Sequence, residues 1–154
     1  MRRNDREIIN IDEKINIVHQ CKVCRLGLTD DDQPYIIPLN YGYTYENNIL
    51  TVYFHGASEG KKVDIIRKNN KACFEIDSYH VLIEGENACN HGYGYKSIIG
   101  FGKIFIIESR EEKIAGLNQI MKHQTGKDGK YEYNDIERVN VYKIIIEECT
   151  GKQR

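Results

Sequence analysis

The sequence lacks any long apolar run, and this excludes the simplest membrane proteins. The longest runs, such as IIGF and IFII, are far shorter than the ~20 residues that a membrane-spanning helix needs. The N-terminal segment MRRNDREIINIDEK is basic and polar without an apolar core, so we expect no secretory signal. Five cysteines without such a signal are typical of reduced thiols rather than of a disulfide framework. We therefore expect a cytoplasmic protein with no membrane partner.

The sequence also lacks an excess of charge of either sign. Its 22 basic and 23 acidic residues nearly cancel, giving a net charge of −1. A protein that binds nucleic acid usually carries a basic excess or patch, so we expect no nucleic-acid partner. A chain of 154 residues is typical of one domain, here residues 1–154.

Tryptophan is absent and proline occurs only twice, whereas tyrosine occurs eleven times. Pro34 and Pro38 both fall in the segment PYIIPLNYGY, where Pro34 marks a strand start and Pro38 an edge or bulge position. Tyrosines cluster in and around the predicted strands. Amphipathic rings in such number suit strand faces that meet a ligand or a subunit partner.

Hydrophobic periodicity predicts a chain made mostly of strands. The predicted strands are KVCRLGL, PYIIPLNYGY, ILTVYF, NNKACFEID, YKSIIGFGKIFIIES and VNVYKIIIEECTG, and HVLIEG could give one more. We expect PYIIPLNYGY and ILTVYF to form a hairpin, and Gly100 with Gly102 to permit a bend or bulge. Roughly six consecutive strands favour antiparallel pairing in a small barrel with helices at its ends.

Three short helices are predicted between these strands. Asp12 is a candidate cap for DEKINIVHQC, and residues 59–68 form a second helix. The strongest pattern is REEKIAGLNQIMKHQTG, where Ser109 and Glu112 fit a capping box and Gly126 ends the helix.

The segment YFHGASEGKK joins a predicted strand to a predicted helix and is a candidate anion site. A helix start presents unpaired N–H groups and the positive end of the backbone dipole. Gly56 and Gly60 allow a ligand to approach the backbone, and Ser58 can cap the helix or donate its hydroxyl. Lys61 and Lys62 add two cations. A phosphate monoester, with about 1.5 to 2 negative charges, suits such a site.

Two familiar phosphate motifs do not fit this junction. A P-loop has four residues between its glycines, followed by Lys and Ser or Thr. Here three residues separate Gly56 from Gly60, and Lys62 stands where the hydroxyl belongs. No G-x-G-x-x-G motif occurs at GASEGKK or GFGKIF, which excludes the dinucleotide fingerprint there. From these residues alone, a surface helix with solvated lysines fits equally well.

Taken with its flanking strands, the junction resembles a known family. PYIIPLNYGY, ILTVYFHGASEGKK, CFEID and YKSIIGFGKI occur in the order found in the pyridoxamine 5′-phosphate oxidase-like, FMN-binding split-barrel superfamily. The pattern is most similar to the nitroimidazole-resistance (Nim) group, which carries Y-F-H-G-A-x-x-G-K-K and a later Y-x-S-x-x-x-x-G-K/R. The resemblance runs from about Ile15 to Gly151. It implies a mainly β, six-stranded antiparallel split barrel that forms a homodimer with FMN at the subunit interface.

The resemblance also implies which residues contact the cofactor. Lys61 and Lys62 match the basic pair that holds the FMN phosphate, although FAD is also possible as the cofactor. Backbone groups along one strand, called the flavin strand, would run beside the flavin ring and ribityl chain. Phe54 and His55 would end the next strand at the flavin, beside Gly56. Ser97 would supply a polar contact, and Tyr95 is a further candidate. The residues expected on the flavin strand are Ile37, Pro38, Leu39 and Asn40.

The sequence departs from the pyridoxamine phosphate oxidases themselves. Those enzymes have an arginine where this chain has Tyr35, and they end in a tryptophan- and arginine-containing segment that binds the substrate. This chain has no tryptophan and ends in TGKQR. We therefore expect an FMN-dependent oxidoreductase that reduces a small, nitroimidazole-like molecule with an electron donor, not a pyridoxamine phosphate oxidase. The alternative is a flavin- or haem-binding protein without turnover on the same barrel.

His55 is the candidate catalytic residue. Histidine titrates near neutrality, and the matching histidine of the Nim group lies by the flavin, so His55 could donate a proton or hydrogen-bond the ring. The alternative is a histidine that merely ends a strand.

Two further clusters could bind metal ions, but both have simpler explanations. Cys21 and Cys24 could form half a zinc site with Cys89 and His91, but Cys24 falls on an apolar strand face, which favours small buried side chains. The acidic residues 30–32 lie in a turn without an EF-hand pattern, which favours solvation. No metal is therefore expected. Of the remaining histidines, those at positions 80, 91 and 123 lie in or next to predicted loops without identifiable partners, and His19 ends the first predicted helix.

Overall fold

One antiparallel sheet forms most of the molecule, and it is described here from a computed structural model for residues 3–129 and 131–154. The strands are β1 (Glu7–Ile8), β2 (Val23–Asp30), β3 (Gln33–Asn40), β4 (Gly42–Glu46), β5 (Ile49–Ala57), β6 (Lys71–Ile83), β7 (Gly92–Ile107) and β8 (Val139–Gln153). The helices are α1 (Ile11–Gln20), α2 (Lys61–Lys68) and α3 (Arg110–Thr125). Within the described residues, no helix is both long and apolar enough to cross a membrane.

The order of the strands closes the sheet into a barrel. It runs β3-β2-β6-β7-β8-β5-β4, with β1 paired to β8. The two end strands, β3 and β4, are successive parts of one chain segment separated only by Tyr41. The sheet therefore curls until its two ends meet at this residue. The mainly β, antiparallel split barrel expected from the sequence is confirmed.

Alternation of apolar and polar residues places one face of each strand inside the barrel. Leu26 on β2, Phe54 on β5, Phe74 on β6 and Ile98 on β7 are all almost completely buried in a single core. A smaller second core, including Leu117 and other side chains, lies between α3 and the outside of the sheet. The barrel thus has one filled interior and one helix-covered outer face.

The strand count and the hairpin prediction both differ from the structure. The described residues form eight strands, because β1 is added and the segment 34–43 divides at Tyr41 into β3 and β4, while HVLIEG continues β6. The expected hairpin with ILTVYF is correct only for β4, which pairs with β5; β3 pairs instead with β2. The side chain of Tyr41 is completely buried and its hydroxyl donates to the Val18 carbonyl, which fixes the division.

Other local predictions can be compared directly with the structure. Pro38 lies on β3, an end strand, as predicted, and the register of β7 against β8 shifts between Phe101 and Gly102, as the glycines predicted. Ser109 caps α3 and Gly126 ends it with φ +70°. The prediction for α1 was wrong: Asn10, not Asp12, is the cap, because its side chain accepts from two backbone N–H groups of the first turn.

Helix α3 lies unusually close to the sheet at Gly42. A Cβ at this position would overlap the main chain of Gln119 and Ile120, so only glycine permits the approach. His123 and Gln124 at the end of the helix both hydrogen-bond the Tyr41 carbonyl, at 2.7 and 2.9 Å. The last turns of α3 therefore hold the chain where β3 ends and β4 begins.

Candidate functional site

The two edges of the opened barrel face each other beyond Tyr41. β4 pairs with β5 only as far as Gly42 opposite Tyr53, so residues 54–57 of β5 have no strand partner on that side. β3 pairs with β2 on one side and, among the described residues, with no strand on the other. We call the gap between residues 37–40 of β3 and residues 54–57 of β5 the seam. Its walls offer free backbone N–H and C=O groups.

The seam brings together most of the residues predicted to hold a cofactor. Its β3 edge consists of Ile37, Pro38, Leu39 and Asn40, and its β5 edge contains Phe54, His55 and Gly56. The side chains of Ile37 and Leu39 pack toward the barrel core, which leaves their backbone groups at the edge. The side chain of Asn40 is already engaged, because it donates to Gln124 and to the Lys22 carbonyl at 3.2 Å each. Asn40 can therefore contact a ligand only through its backbone unless these bonds break.

Helix α2 begins beside the β5 edge of the seam. Gly60 is its N-cap with φ +119°, a conformation that favours glycine, and it makes no side-chain capping bond. Of the two roles expected for Ser58, capping the helix is therefore wrong, and the helix begins at Lys61 rather than residue 59. The N–H groups of Lys61 and Lys62 have no acceptor within the described chain. They point outward at the positive end of the helix dipole.

The loop between β5 and α2 is held by strand β8. The hydroxyl of Tyr142 donates to the Ala57 carbonyl at 3.3 Å, and the amide of Asn140 donates to the Ser58 carbonyl at 3.2 Å. These bonds fix the backbone that leads into α2. The start of α2 is therefore a preformed part of the barrel.

The two adjacent lysines point in different directions. The Lys61 ammonium lies 3.2 Å from a carboxylate oxygen of Asp30 and 5.1 Å from the centre of the Tyr35 ring, so it reaches toward β2 and β3. The Lys62 ammonium lies 4.8 Å from the centre of the Tyr142 ring, next to Gly56. The pair therefore flanks the space at the start of α2, one cation on each side.

Lys62 is the electrostatically unusual member of the pair. Its side chain is half-buried, and burial lowers the pKa of its ammonium group. It has no acidic partner and no hydrogen-bond acceptor among the described residues. A Cβ at Gly56 would overlap the Lys62 Nζ atom, so the glycine makes room for the ammonium. Partial burial of a cation without a counter-charge has a desolvation cost, and an anion bound here would offset it.

Asp30 and Tyr142 are parts of this site that the sequence analysis did not identify. Asp30 was expected to lie in a solvated turn, but it ends β2 and pairs with Lys61; only residues 31 and 32 form the turn. Tyr142 lies some 80 positions from Lys62 in sequence. The two residues come close only because β8, which carries Tyr142, pairs with β5. Neither contact has a local signal, because both depend on strand order.

His55 is exposed, and its side chain turns away from the barrel interior. Phe54 before it is completely buried, so His55 points to the α3 side of β5, whereas its backbone lies at the seam. Its imidazole lines a cleft with residues of α3 and of the segment before β8. The backbone of His55 is thus positioned to contact a ligand in the seam, and its side chain is directed to a neighbouring space.

Ser97 and Tyr95 are not brought to the seam within one chain. Ser97 pairs with Asp77 of β6 and Lys152 of β8. β2 and β6 lie between β7 and the β3 edge of the seam, and β8 lies between β7 and the β5 edge. The side chain of Ser97 faces the outside of the barrel, because the neighbouring Ile98 is buried in the core. Tyr95 lies further along β7, with the Lys152 ammonium 5.7 Å from its ring centre.

No cluster of metal ligands exists among the described residues. Cys21 and Cys24 are buried free thiols, whereas Cys89 is exposed. Burial raises the pKa of Cys24 to about 12, so the thiol stays protonated. The prediction that the Cys21/Cys24 pair consists of small buried side chains is confirmed.

His123, predicted to lie in or next to a loop without partners, is instead a buried part of α3. Its Nδ1 lies 2.7 Å from the Tyr41 carbonyl oxygen and its Nε2 lies 3.0 Å from the His19 carbonyl oxygen. Burial lowers the pKa of His123, and the two carbonyls only partly oppose this effect. The side chain links α3 to α1 and to the start of β4.

A sequence profile described as pyridoxamine 5′-phosphate oxidase matches residues 11–153, nearly the whole chain. The chain belongs to this family. The family resemblance expected from the sequence is confirmed.

Solved structures support the same assignment. A candidate 5-nitroimidazole antibiotic resistance protein from Bacteroides thetaiotaomicron VPI-5482 is 31% identical, with a TM-score of 0.81 over 96% of this chain and 86% of that one. The flavocytochrome Anf3 from Azotobacter vinelandii gives 0.82 at 18% identity, covering 100% and 72% of the two chains. An FAD and heme binding protein from Mycobacterium smegmatis gives 0.78 at 12% identity, covering 96% and 73%. At these identities the last two show the fold alone. No curated protein matches the chain.

Proposed function

We propose that this protein is an FMN-dependent oxidoreductase that works as a homodimer and reduces a small nitroaromatic molecule. The observation that carries the proposal is Lys62, a half-buried ammonium without a counter-charge at the start of α2. The free N–H groups of Lys61 and Lys62 point into the same space. These donors fit a phosphate monoester better than any neutral ligand.

The remainder of the seam fits the rest of the cofactor. On the seam side, the backbone of Ile37–Asn40 and Phe54–Ala57 has no strand partner among the described residues. Its groups on that side can donate to and accept from the polar atoms of a flavin and its ribityl chain. FMN is proposed rather than FAD because a terminal phosphate carries the larger charge, which matches a cation on each side. When bound, the flavin supplies the electron-transfer chemistry, and the protein positions and tunes it.

His55 is the residue proposed to handle protons. Its backbone lies at the seam and its imidazole is exposed to the adjoining cleft. An imidazole can donate a hydrogen bond or a proton to an oxygen of a molecule being reduced. Because the ring is not hydrogen-bonded to another described residue, it is free to orient toward such a molecule.

A homodimer would account for the position of Ser97 and Tyr95 on β7, a strand that does not border the seam of their own chain. In a dimer with the cofactor at the interface, a second subunit would bring these residues to the seam. The outer face of the barrel also carries an apolar row across four adjacent strands: Ile36, Gly27, Cys73 and Phe101. Ile36 is 66% exposed and Phe101 is 52% exposed. Burial of such a row in a subunit interface would be favourable.

The proposed substrate class follows from the relative in Bacteroides thetaiotaomicron, a candidate 5-nitroimidazole resistance protein at 31% identity. Pyridoxamine phosphate oxidation is not proposed. On the flavin strand, Tyr35 occupies the position where the oxidases have arginine, and its ring contacts Lys61 of α2. The chain also has no tryptophan, which the substrate-binding segment of the oxidases contains.

The test is to purify the protein and titrate it with FMN while recording the visible absorption spectrum. We expect flavin bands and one FMN per subunit, identified after release by denaturation. NAD(P)H should then reduce the bound flavin, and a nitroimidazole should reoxidise it. Three such two-electron cycles, each supplied by one NAD(P)H, convert the nitro group to the amine with release of two water molecules. Colourless protein that does not take up FMN would overturn the proposal. A flavin that is reduced but never passes electrons to a nitro compound would favour a non-catalytic binding protein, and a Soret band on adding haem would favour haem binding.

A further inference from the structure

Strand β5 separates two different spaces at His55. Its inward residues, Phe54 and Gly56, face the barrel side, where the Lys62 ammonium lies. Its outward residues, Tyr53 and His55, face α3 and the segment before β8. The seam and the space beside the His55 ring are therefore neighbours that share one strand.

The space beside the His55 ring is a defined cleft of about 260 Å³. Leu117, Ile120 and Met121 of α3 form one wall. Tyr133 and Ile136, which precede β8, form the other. Most of the lining is aliphatic, and its polar side chains are those of His55, Asn134 and Tyr133.

The walls of this cleft are held in place by buried contacts. Leu117, Ile120 and Ile136 belong to the second core, and each is less than a tenth exposed. The hydroxyl of Tyr133 donates to the Asn118 side-chain oxygen at 2.9 Å, which fixes the tyrosine ring at the wall. The cleft therefore exists without rearrangement of the fold.

Size and lining define what the cleft can accept. An apolar cavity of about 150 Å³ binds benzene, whereas drug-sized ligands occupy about 300 Å³ or more. A cleft of about 260 Å³ therefore suits one substituted aromatic ring. Every tautomer and protonation state of histidine has at least one N–H, so His55 can always donate to an acceptor on that ring.

We propose that this cleft binds a single aromatic ring whose planar two-oxygen substituent, a nitro or a carboxylate group, accepts a hydrogen bond from His55. The proposal rests on the proposed function in one respect, that the bound ring is the molecule to be reduced. The binding itself depends only on the cleft. Met121 and Ile136 then become the residues that limit the size of the ring.

The experiment measures binding without any reductant, so that no turnover occurs. The probes are 4-fluoronitrobenzene, 4-fluorobenzoate and 4-fluorotoluene. Binding of each probe to the full chain is measured by fluorine NMR, once without FMN and once with FMN. We expect 4-fluoronitrobenzene and 4-fluorobenzoate to bind more tightly than 4-fluorotoluene. The probe with the higher affinity shows whether the cleft prefers a nitro or a carboxylate group. In the wild type, intermolecular NOEs should join the probe to the Met121 methyl group.

Two variants place a tryptophan on the same helix. Met121→Trp fills the cleft and should weaken probe binding by about tenfold or more, while exposed Ala115→Trp should leave it unchanged. His55→Ala should remove the preference over 4-fluorotoluene. Equal affinity of all three probes would overturn the role of His55, and absence of the Met121 NOE would overturn the site.

The FMN titration of the same proteins separates this proposal from the proposed function. Met121→Trp should bind FMN as the wild type does, because the Lys62 ammonium lies on the other face of β5. Probe binding by a protein that never takes up FMN would refute the oxidoreductase and support the cleft. Uptake of FMN without any probe binding would support the cofactor assignment and refute the cleft.

Discussion

Replacement of Lys62 by alanine is the most informative perturbation of the proposed cofactor site. A hydrogen bond to a charged group contributes about 1.5–3 kcal/mol, so loss of the Lys62 contact should raise the FMN dissociation constant by about tenfold to a hundredfold. Lys61→Ala should cost less, because Lys61 must share its ammonium between the phosphate and Asp30. That exposed ion pair is itself worth only about 0–1 kcal/mol.

The assay is a fluorescence titration of apo-protein with FMN and, in parallel, with riboflavin. Riboflavin lacks the phosphate, so Lys62→Ala should weaken FMN binding while leaving riboflavin binding nearly unchanged. Lys68→Ala is the matched control, since Lys68 is an exposed lysine in the last turn of the same helix. Asp30→Asn should tighten FMN binding, because it removes a negative charge beside Lys61.

Comparison of FMN with riboflavin, and of the Lys62 variant with the Lys68 variant, decides whether Lys62 binds the FMN phosphate. Equal losses of FMN and riboflavin in Lys62→Ala would show that the lysine supports the fold of the site and does not hold a phosphate. Equal effects of Lys62→Ala and Lys68→Ala would show a general effect of net charge. Either result would refute the argument from the uncompensated ammonium.

Three further predictions concern the fold and the subunit interface. Gly42→Ala should lower the free energy of unfolding by about 1–3 kcal/mol in urea titrations, more than Gly27→Ala, because only the Cβ at position 42 overlaps helix backbone; equal losses would contradict the close packing of α3. Because burial lowers the pKa of His123, the unfolded chain takes up a proton first, so stability should fall below about pH 6.5 more steeply in the wild type than in His123→Gln; parallel pH profiles would contradict this assignment. Phe101→Asp should convert the proposed dimer to monomer in sedimentation equilibrium and weaken FMN binding; a dimer that persists would place the interface elsewhere.

Much of the fold could be predicted because its signals are local. The Ser109 cap, the C-terminal Gly126 and the bulge near Gly102 each depend on a few neighbouring residues, and all three are confirmed. The predicted capping box is only half formed, because the Glu112 carboxylate pairs with Lys143 instead. The division of the segment 34–43 at Tyr41 could not be predicted in this way. It depends on the burial of Tyr41 against α1 and on contacts from the end of α3, residues far away in sequence.

The same distinction applies to the candidate site. The junction YFHGASEGKK contains its own signal, and its lysines do lie at the start of a helix beside a barrel opening. Their different environments do not follow from the sequence. Asp30 and Tyr142 reach the lysines through strand pairing, and these contacts make Lys61 an ion-pair member and leave Lys62 without a counter-charge.

The measurement that tests the central claim most directly is a crystal structure of the protein grown with FMN. The account predicts the phosphate at the start of α2, within hydrogen-bond distance of the Lys62 ammonium and the free N–H groups, with the flavin ring along the seam between β3 and β5. A phosphate bound elsewhere, or a seam occupied by the protein's own side chains in the presence of FMN, would contradict it.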